Sequence, residues 1–291
     1  MSEDRADRLR HLLATNVLDR ERPGYGFDHY RDGECDYPEA IAGVGRAAFA
    51  LGDTNLANVC ALRLRALDGP PWGLPWEWKG LPPGTGFVTT TVACQHLMLD
   101  LGLETDVSWV AEHATVYGEG CDLVVWNSLA QAAGLLVRAG EHLALADALV
   151  EMVEAEIHCG LFPYGRESPH HFEQHQAMCA EGLLLATPEE STPSPSVEIN
   201  LAATLRLLFE DTAQGRFSVD RSEWMWVQHA AIQAWCMWKA GYSSLAADME
   251  RVILDNYVDP GGRVLVQPGG KWSVRMAAMA LSALARIDYD T

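Results

Sequence analysis

Two kinds of helical segment alternate along this chain, and that alternation limits its fold more than any other feature. Apolar residues recur with helical periodicity almost throughout, and the alternating β-branched runs of strands are nearly absent. The one short strand candidate is Arg263-Val264-Leu265-Val266. One kind of segment is rich in Ala, Gly and aromatics with few charges, at about 37–51, 87–101, 123–139, 172–186, 224–240 and 272–287. The other kind carries an ordinary charged face, at about 4–18, 54–67, 105–117, 142–157, 197–210 and 243–257. A helix that is apolar nearly all round is buried on most sides, whereas one with a charged face looks outward. The apolar segments recur about every fifty residues, with one shorter unit between 87 and 123.

Six buried helices alternating with six exposed ones predict an all-α (α/α)6 toroid, an inner ring wrapped by an outer one, as one domain over 1–291. An ordinary helical bundle or solenoid is the alternative. Gly43, Gly45, Gly134 and Gly182 would let inner helices approach closely. Links from inner to outer helix are short, such as Leu51-Gly52-Asp53 and Ala139-Gly140-Glu141. Links from outer to inner are long: 19–36, 68–86, 158–171, 211–223 and 258–271. They fall over the N-termini of the inner helices, where free N–H groups favour anions, and long loops gathered at one end of a scaffold are where sites sit. The low-complexity stretch 187–196 is expected to be a mobile surface loop.

Charge and composition narrow the partners. The chain of 291 residues has 21 Lys+Arg against 40 Asp+Glu, a net charge of −19. That excess argues against nucleic acid and anionic membrane, since phosphates would be repelled. No run of 18 or more apolar residues suggests a membrane span. The N-terminal segment MSEDRADRLRHLLATN lacks a signal-peptide core, and seven scattered cysteines without CxxC pairs suit reduced thiols, so a cytoplasmic location is expected. Ten tryptophans are unevenly spread: Trp72, Trp76, Trp78, Trp126, Trp224, Trp226 and Trp272 lie in long loops or first turns. Trp109, Trp235 and Trp238 sit inside helices and read as packing.

The segment Pro71-Trp72-Gly73-Leu74-Pro75-Trp76-Glu77-Trp78-Lys79, followed by Gly84-Thr85-Gly86-Phe87-Val88-Thr89-Thr90, resembles the squalene-cyclase/prenyltransferase-like α/α toroid superfamily. Gly160-Leu161-Phe162-Pro163-Tyr164-Gly165 with His171-Phe172-Glu173-Gln174-His175 is similar to a later loop-to-helix junction of that group. Gln267-Pro268-Gly269-Gly270-Lys271-Trp272 is similar to the Q…G-x-W repeat of triterpene cyclases, one residue short. The chain departs from the group in having neither the D-x-D-D acid of class II cyclases nor a D-D-x-x-D diphosphate motif. Other (α/α)6 enzymes process sugars, and fold alone does not choose between these chemistries.

When the inner helices are aligned by the glycine or equivalent that ends them, Thr90, Asn127, His229 and Arg275 fall twelve or thirteen residues upstream. His175 falls eleven before Ala186, and Glu39 sits near the same level. Such a level could line a polar central cavity, or be six unrelated first-turn residues. His171 and His175, at i and i+4, share a helix face that could chelate a metal with Glu173, His170, His229 or Cys179, yet H-x-E-x-H is not a metalloprotease motif. Acid–base use of the histidines, or a structural role, competes with that; no cofactor is expected. Asp28, Asp36, Glu77, Asp122 and Glu223 are loop or N-cap acids that could accompany them, Asp36 and Asp122 being equally explained as caps.

The resemblance implies cyclisation, isomerisation or elimination on an isoprenoid or other natural-product intermediate. His175, His229, Glu39 and Asp36 would be the catalytic groups. Trp76, Trp78, Thr90, Trp126, Asn127, Tyr164, His171, Trp224, Trp226, Trp272 and Arg275 would bind a small-molecule substrate. The alternatives are a carbohydrate-active hydrolase or epimerase using Asp/Glu, and a non-catalytic binding scaffold.

Overall fold

The computed structural model describes residues 1–17, 37–67, 69–75, 77, 81–114, 125–165, 173–188, 191–210 and 225–289, with backbone alone for 173–174 and 205–210. Twelve helices and no strand occur among them. Six form the inner set: α2 (Pro38–Ala50), α4 (Val88–Asp100), α6 (Trp126–Ala139), α8 (Glu173–Ala186), α10 (Val227–Lys239) and α12 (Val274–Ala285). Six form the outer set: α1 (Glu3–Asn16), α3 (Thr54–Arg65), α5 (Ser108–His113), α7 (Leu143–Glu154), α9 (Pro195–Glu210) and α11 (Ser243–Asn256). Each inner helix packs on the next, and α12 packs back on α2, so the ring closes as an (α/α)6 toroid.

The two helix kinds differ for the reason the sequence suggests. On α10 every residue from Val227 to Met237 is buried, because the helix is enclosed by its ring neighbours and by α11. Outer helices bury one stripe only: Leu9, Leu12 and Leu13 on α1, Ala57, Cys60, Ala61 and Leu64 on α3, and Ala146, Leu149 and Val153 on α7. These stripes recur at three- and four-residue spacing and meet the outward faces of the inner helices, so the core is a cylindrical layer between the two rings.

The closest approach is between α6 and α8. A Cβ on Gly134 would stand 2.8 Å from the Gly182 carbonyl oxygen, and a Cβ on Gly182 would run into the Ala130 backbone. Gly43 does the same more loosely between α2 and α12, where a Cβ would lie 3.1 Å from the Ala278 backbone. The short links turn on glycines with positive φ: Gly52 (85°), Gly102 (64°), Gly140 (71°) and Gly241 (88°). A left-handed residue after the last helical turn is what glycine supplies without a Cβ clash.

Some boundaries differ from expectation. Pro195 opens α9 two residues early, with Ser194 Oγ accepting from the Val197 N–H at 3.4 Å. The outer helix of the short unit, α5, spans Ser108–His113 and so begins three residues later than expected, while 115–117 lie outside the described residues. Residues 263–266 make isolated bridges, Val258 with Val264 and Leu265 with Trp272, rather than a strand. Free thiols at Cys60, Cys94, Cys179 and Cys236 are buried, and no helix among the described residues is long and apolar enough to cross a membrane.

Candidate functional site: the central cavity of the inner ring

The described long loops before α8 and α12 bond to the N-terminal ends of inner helices. Tyr164, in the loop before α8, gives its carbonyl to the Trp126 N–H at the start of α6 (3.3 Å). Val266, in the loop before α12, gives its carbonyl to the Val227 N–H of α10 (2.9 Å). Each loop thus braces the neighbouring helix and takes up an N–H that the sequence reading left open for anions.

At this end the level of polar residues becomes a connected cluster. Glu39 on α2 is buried, 3% exposed, and accepts from Arg275 of α12 through both Nε and Nη2 at 2.7 Å. The Tyr37 hydroxyl donates to the same oxygen, Oε2, at 2.6 Å, and the Arg275 guanidinium lies 5.2 Å over the Tyr37 ring. Burial raises the Tyr37 hydroxyl pKa well above its ordinary value and Arg275 works against it, while Thr90 on α4 also bonds to that hydroxyl. His229 of α10 is 2% exposed; burial, His175 and Arg275 in that order push it well below the usual histidine value, so it is neutral at pH 7. Its Nε2 faces the Gln228 amide nitrogen at 2.7 Å, which makes Nε2 the acceptor and Nδ1 the protonated atom.

Aromatic residues frame the same cluster. Tyr164 tilts against the half-buried His175 with ring centroids 4.5 Å apart, and Trp226 stacks on His229 at 5.9 Å while staying 37% exposed. Trp126 is buried, and Asn127 beside it directs its amide at Met178 Sδ, 3.6 Å away on α8. Trp272 turns elsewhere: its indole N–H donates to Asn16 Oδ1 of α1 at 2.8 Å, fastening a loop to the outer ring. Trp72 likewise donates to the Leu64 carbonyl, and Trp109, Trp235 and Trp238 pack within helical layers. Asp28, Asp36, Trp76, Trp78, Asp122, His170, His171, Glu223 and Trp224 lie outside the described residues; Glu77 is exposed. No group of three His, Cys, Asp or Glu among the described residues is placed to hold a metal.

Below this cluster, inside the ring, lies a cavity of about 50 Å³ lined from all six inner helices, including Glu39, Arg46, His96, Gln131, Glu181 and Arg286. Its floor is a charged network that the level-by-level reading missed. Asp100 of α4 accepts from Arg46 Nε at 2.8 Å and from Arg138 Nη2 at 2.6 Å. Burial raises the Asp100 pKa, but the two arginines outweigh it and hold the carboxyl below its ordinary value. Glu181 of α8 accepts from Arg286 at 2.6 Å and from Gln131 at 3.2 Å. Arg286 also covers the Trp235 ring at 4.5 Å. A signal was present: Arg46 and His96 each stand six residues before the glycine that ends their unit, and Glu181 stands five before Ala186. A second polar level, deeper than the first, is written in the same repeat.

No family profile matches the sequence, and no curated protein does. Solved structures do match along the whole chain. A glycosidase aligns at TM-score 0.63 and 14% identity, covering 99% of this chain and all of its own. A polysaccharide lyase aligns at TM-score 0.64 and 10% identity, covering 97% of each chain. A glycoside hydrolase family 76 mannosidase from Bacteroides thetaiotaomicron aligns at TM-score 0.60 and 9% identity, again over 97% of each. These likenesses establish the α/α toroid fold. They support the toroid part of the resemblance and do not extend to the squalene-cyclase assignment.

Proposed function

We propose that this chain is a carbohydrate-active enzyme, a glycoside hydrolase or a lyase, working at the N-terminal mouth of the inner ring with Glu39 as its reacting carboxylate. The observation that carries the reading is the placement of Glu39. It is a buried acid at the cavity wall, held by Arg275 and by the Tyr37 hydroxyl. A carboxylate so held suits a base, a nucleophile or a stabiliser of positive charge on a sugar ring. The proton donor would be a second group, with His175 as the candidate among the described residues and Asp28, Asp36, Asp122 and Glu223 as candidates outside them. Thr90 and Asn127 would orient substrate, and Trp226 and Tyr164 would offer aromatic faces for a sugar to stack on, while Trp126 is buried. The company the fold keeps, glycosidases and a polysaccharide lyase, supports sugars over isoprenoids. So does a sequence without the acid motif of the terpene cyclases.

Glu181 is a weaker candidate. It faces the cavity from α8, across the ring from α2, but both of its oxygens are occupied by Arg286 and Gln131. The test is a panel of oligosaccharides, neutral and uronate-containing, read by reducing ends and by the absorbance of unsaturated products. On a sugar that the wild type turns over, Glu39→Gln should lower kcat by about 10²–10⁴-fold while the melting curve shows a folded protein. A folded variant with undiminished turnover would remove Glu39 from the mechanism. Turnover of prenyl diphosphates with none of any sugar would overturn the substrate class.

A further inference from the structure

The floor of the central cavity is rich in donors that no acceptor meets. His96 is 1% exposed and its Nδ1 faces Arg138 Nη1 at 2.9 Å. A guanidinium can only donate, so Nδ1 is the acceptor and the ring proton sits on Nε2. That Nε2 is buried and has no hydrogen-bond partner among the described residues, and His96 lines the cavity. Arg46, also on the cavity wall, bonds among the described residues through Nε alone. Arg286 bonds through Nε and Nη2 and reaches the cavity too.

The acidic groups nearby are already engaged. Asp100 serves Arg46 and Arg138 with one oxygen each, and Glu181 serves Arg286 and Gln131. Three guanidinium groups against two carboxylates leave one positive charge over, buried in the ring. The field of Arg46, Arg138 and Arg286, after burial itself, depresses the His96 pKa well below its ordinary value, so His96 adds no charge but keeps its N–H. A water in such a place would accept from these donors and could donate to Glu39, Gln131 or Glu181 on the same wall, but it would leave the excess positive charge unmet. An anion needs only donors and supplies the missing charge.

We propose that the floor of the central cavity, between His96, Arg46 and Arg286, binds a small monovalent anion. The volume of about 50 Å³ holds only a few particles of water size, so the floor suits a small occupant. The occupant is therefore a halide or the carboxylate of a very small acid. The site lies on the floor of the cavity whose wall Glu39 also lines. It locks the helices that supply its donors, α2, α4 and α12, so the anion would act as a keystone of the ring.

The experiment is thermal unfolding of the full chain at constant ionic strength, exchanging gluconate for bromide or for formate. A saturable rise of about 3–5 °C is expected. Protection by bromide identifies a free halide, and protection by formate alone identifies a carboxylate; either supports the site. His96→Leu should abolish the rise if it folds, while the surface change Arg251→Ala should keep it. Should His96→Leu not fold, crystals of the wild type in bromide decide, with an anomalous peak within hydrogen-bond reach of His96 Nε2. No saturable rise with either anion, or anomalous peaks confined to the surface, would overturn the proposal.

Discussion

At the scale of single residues, the buried histidines make a prediction about acid. His96 and His229 are held neutral in the fold, with pKa values pushed well below the ordinary 6.5. The unfolded chain therefore binds protons that the folded chain refuses once the pH drops below about 6.5. The stability these groups contribute is fully present above that value and is lost as the pH falls. Each histidine adds a slope of up to about 1.4 kcal/mol per pH unit. Denaturant midpoints measured from pH 7.5 to 5 should decline, and His96→Gln and His229→Gln should each flatten the decline. An unflattened profile in both would mean that neither ring is kept neutral. The sequence showed His229 as part of a polar level because its offset from the helix end repeats that of Thr90 and Asn127. It did not show that Arg275 would turn to Glu39 across α12 and α2, since nothing in a linear spacing records which neighbour a long side chain reaches.

At the scale of elements, glycine separates tight helix pairs from ordinary ones. Replacing a mid-helix glycine by alanine gains about 1 kcal/mol of helix propensity. Overpacking a fitted contact costs about 1–3 kcal/mol. At Gly182 the new methyl would strike the Ala130 backbone, which cannot yield cheaply, so Gly182→Ala should be net destabilising by about 1–2 kcal/mol. At Gly43 the nearest backbone atom is 3.1 Å away, so the two effects nearly cancel and Gly43→Ala should be close to neutral. Urea titrations of the two variants check the order, and equal effects would contradict it. Helix kind and sequence were legible because burial on all sides demands an apolar surface all round. The glycines were legible as a class, but their ranking required the distances between helices.

At the scale of the molecule, ring closure joins residues far apart in the chain. Arg5 of α1 bonds both oxygens of Glu250 on α11, at 2.8 and 2.9 Å, and the carbonyls of Leu284 and Ile287 at the end of α12. The Tyr289 hydroxyl donates to the same Glu250 at 3.0 Å. Removing Arg5 would leave a nearly buried carboxylate without its cation, so Arg5→Ala should cost about 3–5 kcal/mol in chemical denaturation. A loss under 1 kcal/mol, the range of exposed pairs, would show that this clasp contributes little.

The sequence by itself determined the number of helices, their alternation, the short and long links, and one level of polar residues. All of these are local: periodicity, composition and offset within a unit of about fifty residues are set by which face of each helix meets water. Only the tertiary structure decided what meets inside the ring. Arg46, His96, Asp100, Arg138, Glu181 and Arg286 come from five helices and converge on one floor because α12 closes against α2. Opposite charges attract whatever their separation along the chain. The choice of partners is thus made by the closed ring, and the same holds for Glu39, Tyr37 and Arg275 at its mouth.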